Sequence, residues 1–411
     1  MSENQASKIK FGIVWACRIL IGLTFILSGW SKVVDPYGFF YKIEEYLSVW
    51  HISGVIPDEL IVTGSVGLSV FEFITGVLLA TGCMRRVAPI CALGLMAFML
   101  PLTIYIYAAN PVADCGCFGD MITLSNTATL TKKILLTAML VIVLLWHDKT
   151  NPLFRSGIQW LVIALTGLYA IVLAIIGWTC QPVVDFRPYP VGGPILASDE
   201  ANTPSYIYIK NGIKETFTLD NLPDSTWTFV ENVEVLHAND ELAIFDGEDE
   251  VTNEVLSIND KLLILTAIDP GISYLSRARF ANELNKYASD NDIQMIALVA
   301  ASDEALERWM TLARPSFEVY SAADTSLKQL ARGKTALIFV DQGRIVWKRN
   351  LTHLDTNILD KDAPLEAVKI FDDGKAAVGI SIVFLIALLL SWLIDLLLFK
   401  PKGTENVSKQ L

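Results

Sequence analysis

The chain has 411 residues, 53% of them hydrophobic and 18% charged, with a formal net charge of -12. Soluble chains carry about a quarter charged residues, so this composition excludes an ordinary soluble protein and points to membrane helices joined to a polar part. The acidic balance excludes a nucleic-acid-binding surface, which needs basic patches, and six cysteines over this length do not make a disulfide scaffold.

Six apolar runs, at 11–34, 60–81, 88–108, 128–146, 157–178 and 377–399, are each long enough to span a bilayer, which takes about 20 helical residues. Within hydrocarbon the backbone must satisfy its own hydrogen bonds, so each run is predicted to be a helix. No small-residue cleavage site follows the first run, and an uncleaved span is expected there. Lys8 and Lys10, Arg85 and Arg86, Lys149 and Arg155, and Lys400 and Lys402 fall on one side if the spans alternate. The positive-inside rule makes that side cytoplasmic. Lys132 and Lys133, at the other end of the fourth run, are the exception. The expectation is a multi-pass protein of the bacterial inner membrane, embedded in the lipid bilayer, with both termini cytoplasmic and its polar part in the oxidising periplasm.

Between the third and fourth runs stands Asp114-Cys115-Gly116-Cys117-Phe118-Gly119-Asp120. This loop and Cys180 face the periplasmic side, whereas Cys17, Cys83 and Cys91 lie toward the reduced side and read as small packing residues. A Cys-x-Cys pair sits at the edge of disulfide reach, and Gly116 gives the torsional freedom that so small a ring needs. Asp114 and Asp120 disfavour a thiolate, so the thiols are not expected to be unusually acidic. Three readings stand. Cys115 and Cys117 form a redox pair with Cys180 as a third thiol that accepts the disulfide. Alternatively, Cys180 is permanently bridged to one loop cysteine, or the cysteines hold a metal with His51, a poor zinc set.

Within the spans, Arg18 and Glu72 are counted to similar depths in the inner half of the bilayer. A lone charge there costs about 3 kcal/mol, so the two are expected to pair. They either fix two helices or line a polar pocket for a quinone headgroup or a proton path. Gly22, Gly29, Gly76 and Gly82 are expected to let helices approach closely, and Asp395 to sit at the interface.

The polar part opens at Cys180 with a Pro- and Gly-rich connector, followed by short strands at 206–210, 215–219 and 242–245 in a small sheet. From 255 onward the order is strand (261–268), helix (273–288), strand (294–300), helix (303–312), strand (317–320), helix (325–331) and a hairpin (335–341 and 345–348) across Gln342-Gly343. That is an α/β order, and it resembles a thioredoxin fold. The resemblance stops at the chemistry. Ala267-Ile268-Asp269-Pro270-Gly271-Ile272-Ser273-Tyr274 holds no cysteine where a Cys-x-x-Cys would stand, and Gly333-Lys334-Thr335 replaces the proline element. This part is expected to dock or regulate, not to exchange dithiols.

The first run and its exit read Arg18-Ile-Leu-Ile-Gly22-Leu-Thr-Phe-Ile-Leu-Ser-Gly29-Trp-Ser-Lys32-Val-Val-Asp35-Pro36. With Glu72, Gly76 and the Cys-Gly-Cys-Phe-Gly loop, the first 150 residues resemble the DoxX/MauE family of four-helix membrane proteins. That resemblance implies an association with periplasmic redox processes, including methylamine utilisation and disulfide maturation. The remainder looks like an extension of the kind seen in Bacteroidetes members. The expected organisation is a four-helix membrane domain (1–150), a fifth transmembrane helix (151–180), a periplasmic connector with a small β region (181–250), a degenerate thioredoxin-like domain (251–375), and a last transmembrane helix with a cytoplasmic tail (376–411). The expected function is periplasmic thiol–disulfide or electron transfer through the loop. The alternative is a non-enzymatic scaffold or assembly factor whose outer domain binds a periplasmic protein. No inverted repeat or broken helix pair supports a transporter.

Overall fold

The structure is a computed structural model and describes residues 3–112, 114–196, 205–210, 213–218, 222–224, 226–233, 242–256, 261–268, 270, 272–360, 364–369 and 373–398. Lys400, Lys402, Asp269, Gly271 and parts of the connector region lie outside the described residues. The chain divides into two units, Met1–Val184 with Asp372–Leu411, and Asp185–Phe371.

In the first unit the expected apolar runs are the helices α1 (Glu3–Val34), α3 (Asp58–Ala80), α4 (Val87–Ala109), α5 (Asn126–Leu145), α6 (Ser156–Thr179) and the chain's last helix, α12 (Asp373–Leu398). All six are long and apolar enough to cross a membrane. A further helix, α2 (Pro36–Val49), was not expected from the apolar pattern. Asp35 caps it by accepting from the Gly38 N–H at 2.9 Å, and Pro36 at its first position has no N–H to lose. A short extended segment, β1 (Cys117–Asp120), carries the second half of the loop.

α1 and α3 run side by side with their backbones touching. A Cβ on Gly29 would meet the Phe73 nitrogen at 2.6 Å, and one on Gly76 would meet the Ile26 nitrogen at 2.6 Å. Gly22 sits in the same way against Ala80. Small residues replace a hydrophobic driving force where lipid is the solvent. Gly82 lies in the turn after α3, its φ of +70° open to glycine at no steric cost, and a Cβ there would also meet the Trp15 ring of α1 at 3.0 Å. The core between these helices is built from Ile21, Phe25, Val77, Leu79, Leu140 and Leu173. Tyr169 of α6 stacks on Phe384 of α12 at 4.3 Å, and its hydroxyl meets Trp30 Nε1 and Ser381 Oγ.

The two ends of this unit differ. At one, Lys10 lies over the Trp146 ring, Arg86 donates to His147, Arg85 donates to the Thr150 carbonyl, and Asp395 accepts from the Arg155 N–H. Residues chosen for their charge in the sequence thus gather at one end, and Asp395 is buried against Arg155 rather than lying at an open interface. At the other end, Gly177 packs against the Val34 carbonyl and Pro36, Trp178 stacks on Tyr37 at 3.9 Å, and β1 packs against α1 and α2.

The described residues of the second unit form two sheets. β2 (Ser205–Lys210), β3 (Ile213–Thr218) and β4 (Thr228–Val233) form an antiparallel sheet in the order β3-β2-β4. Then follow β5 (Ile244–Asp246), β6 (Asp249–Glu250), α7 (Thr252–Leu256), β7 (Lys261–Ile268), α8 (Ile272–Asp290), β8 (Gln294–Ala300), α9 (Asp303–Ala313), β9 (Glu318–Ala322), α10 (Asp324–Leu330), β10 (Thr335–Asp341), β11 (Arg344–Asn350) and α11 (Pro364–Lys369). The larger sheet is ordered β11-β10-β7-β8-β9-β5-β6. β7, β8 and β9 are parallel, while β10 runs antiparallel to both β7 and β11. The apolar run of β7 is buried on both faces, as a strand covered on two sides must be. Gln342 and Gly343, both at positive φ, turn the hairpin in the sense that matches strand twist. The segment around 244 does not join the small sheet as expected; β5 pairs with β9 at the edge of the large one. The start of the connector is also fastened here, through Gly192 N–H to the Ile345 carbonyl and Ile195 N–H to the Gly343 carbonyl.

Candidate functional site

The loop between α4 and α5 is tied down from several sides. Tyr46 of α2 donates to the Cys115 carbonyl at 3.0 Å, and Ser28 of α1 donates to the Cys117 carbonyl. The Asp114 carboxylate accepts from the Gly116 N–H and pairs with Lys42, which also pairs with Glu45. The Lys42 stem lies across Gly116, where a Cβ would meet its Cγ at 2.6 Å. Gly116 (φ +65°) and Gly119 (φ +54°) both occupy the left-handed region, where any other side chain is strained. Phe118 is buried under the Lys132 ammonium, 3.9 Å from its ring centre. Asp120, at the exit of the loop, is exposed.

This anchoring presents the two sulfurs to each other, 2.6 Å apart. A third group completes the arrangement. Lys133 of α5 is 3% exposed and aims its ammonium at three acceptors: Thr103 Oγ1 at 2.6 Å, the Met99 carbonyl at 3.3 Å and Cys115 Sγ at 3.4 Å. An ammonium has three hydrogens to donate, so Cys115 sulfur is one of its full set of partners.

The electrostatics differ from the sequence expectation. The hydrogen bond from the Cys117 thiol, with the charge of Lys133 and hydrogen bonds from Thr103 and Lys133, outweighs burial and brings Cys115 from 9.0 down to about 5. Its contact with Cys115, together with burial, pushes Cys117 up. The neighbouring carboxylates were expected to keep these thiols ordinary. They do not: the contact between the two thiols moves them in opposite directions, and Lys133, next to the sulfur of Cys115, adds to the lowering there, while Asp114 is paired with Lys42. Against the penalty of burial, its bonds to Asp114 and Glu45 hold Lys42 above its usual value.

The intramembrane charges also pair differently. Glu72 binds Lys32 at 2.7 Å, with 5% and 1% of the two side chains exposed. Lys32 in turn donates to Ser28 Oγ at 3.2 Å, so a polar line runs from Glu72 through Lys32 and Ser28 to the Cys117 carbonyl. Arg18 instead donates to the carbonyls of Leu79 and Cys83. Glu72 lies seven residues before Leu79, roughly 10 Å nearer the loop end at the helical rise per residue. The expected Arg18–Glu72 pair, and any pocket shared by the two, is therefore not formed.

Cys180 caps the end of α6 at the loop end of the unit, with its sulfur 3.8 Å from the Thr179 hydroxyl. No disulfide joins any of the six cysteines. Among the described residues no group of three or more His, Cys, Asp or Glu side chains is placed to hold a metal ion. Sequence reasoning missed Lys133, Thr103, Lys32, Ser28 and Tyr46. Lys133 did carry a signal, because it broke the charge rule that every other cluster obeyed.

Among the described residues, six helices of membrane-spanning length and a separate α/β unit define a multi-pass membrane protein with a substantial polar portion. Residues 10–147 match the family model of methylamine utilisation protein MauE, about a third of the chain, covering α1 to α5 and the loop. Residues 203–238 match a domain of unknown function, DUF8463. No curated protein and no solved structure matches the chain.

Proposed function

We propose that this protein is an accessory component of the bacterial inner membrane that exchanges thiols and disulfides through Cys115 and Cys117 on the periplasmic side. The observation that carries the reading is the sulfur pair itself: two thiols 2.6 Å apart with a buried ammonium 3.4 Å from one of them. A reactive cysteine needs a thiolate and an electropositive neighbour, and a purely structural cysteine needs neither. The MauE match over the same helices is consistent with a membrane accessory role. Cys180, at the same end of the unit, is the candidate third thiol.

All six cysteines lie in the membrane unit, so the thioredoxin-like second unit acts by recruiting a periplasmic protein partner. A scaffold without chemistry is the second reading, favoured by the cysteine-free end of β7. Differential alkylation of the purified protein across graded glutathione buffers separates the two. The redox reading expects Cys115 and Cys117 to become protected and exposed together, with Cys117→Ser abolishing the protection of Cys115. Loop thiols that stay alkylatable at every potential leave only the scaffold.

A further inference from the structure

Lys133 is buried near the start of α5, at the end of the unit away from the other surface basic clusters. A lysine held this far from water needs a compensating partner. Two of its three acceptors, Met99 O and Thr103 Oγ1, are neutral; the third is Cys115 Sγ. Among the described partners of Lys133, Cys115 is the one able to carry a negative charge, so the cation is best compensated while Cys115 is a thiolate. Oxidation of the loop removes that charge and leaves the ammonium, among the described acceptors, with the dipoles of Met99 and Thr103.

We infer that Lys133 is a positioning residue that stabilises the reduced loop, so that the Cys115–Cys117 disulfide acts as an oxidant of protein dithiols. This rests on the thiol–disulfide reading above and gives it a direction and a substrate class. A pair whose reduced form is selectively stabilised has a high reduction potential.

The exchange runs in two balanced steps. A substrate thiolate attacks Cys115 Sγ and breaks the Cys115–Cys117 bond, and Cys117 leaves and takes up a proton. The second substrate thiolate then attacks the substrate sulfur of the mixed disulfide and expels Cys115 as a thiolate beside Lys133. The substrate dithiol loses two electrons and two protons. The loop gains the two electrons and one proton, on Cys117, and the other proton goes to solvent. The acidity of Cys115 fits its departure as a thiolate in the second step, because the thiol of lower pKa leaves faster.

The test uses the full-length protein in detergent micelles, equilibrated with reduced and oxidised glutathione and read by mass-tag alkylation. Wild type is compared with Lys133→Met, with Lys133→Gln as the alternative if the methionine variant does not accumulate, and with Lys133→Arg. Removing the charge is expected to shift the equilibrium toward the disulfide by tenfold or more, about 30 mV lower in potential for each tenfold. It also moves the pH midpoint of Cys115 alkylation upward, and Lys133→Arg retains most of both properties. A charge-free variant that cycles at the wild-type potential with an unchanged pH midpoint overturns the role of Lys133. A wild-type loop that does not cycle at all overturns the thiol–disulfide reading beneath it.

Discussion

The Lys32–Glu72 pair can be tested as a free-energy cycle. The two groups meet at 2.7 Å with almost no exposure, and at an effective dielectric of about 20 their attraction is about 6 kcal/mol. Desolvation of two ions offsets much of this, so the pair as a whole contributes little net stability. Removing one partner is different, because it strands a buried charge at a cost of about 3–5 kcal/mol. Glu72→Leu and Lys32→Met are each expected to destabilise the membrane unit by that amount, and the double variant to recover most of it. Thermal unfolding in a mild detergent, followed by tryptophan fluorescence, measures all three. A second readout is the alkylation rate of Cys117, since Lys32 reaches its carbonyl through Ser28. Single and double variants that lose stability additively would refute the pairing argument.

Further outcomes are expected elsewhere. Cys115 is held at about 5 instead of 9.0, so its alkylation should stay near its maximal rate from pH 9 down to pH 6 and fall only as pH drops through about 5. The stability this lends to the reduced loop is likewise complete above the ordinary value and lost through that lower range. Gly29→Ala places a methyl against the Phe73 backbone and should cost about 1–3 kcal/mol, whereas Gly94→Ala, with nothing within 4 Å, should be near neutral in the same unfolding assay. In the second unit, burial and the nearby Arg187 lower Lys348 to about 7 from 10.5, against the pull of Asp185. Between these values the unfolded chain binds a proton that the folded one has released, so stability should rise with pH across that window. Urea unfolding at pH 6.5 and 9.5 should show this rise in wild type and lose it in Lys348→Met.

The six spans were legible because an apolar run of that length has few other uses, and the strand and helix order from 261 onward because its periodicity switches cleanly. α2 escaped notice because it is short and amphipathic, although Asp35-Pro36 is a start signal. β4 lay in a stretch without clear alternation. The Arg18–Glu72 pairing failed because depth was counted from the ends of apolar runs. Helix register is set instead by where backbones touch, and Gly22 and Gly29 were already visible, seven residues apart, as the points of contact. The site itself was half legible. The loop's thiols and glycines are local and could be read directly. The contact of Lys133 with Cys115 joins residues on two sides of a turn, and depends on how α4 and α5 pack, which no local pattern encodes.

The central claim is that Cys115 and Cys117 are bonding partners of each other. Disulfide mapping by mass spectrometry, after mild oxidation of the full-length protein with oxidised glutathione, tests it most directly. The account predicts a loop peptide lighter by two hydrogens, with Cys115 linked to Cys117, restored by dithiothreitol. A peptide linking Cys180 to either loop cysteine, with no Cys115–Cys117 species, would contradict it.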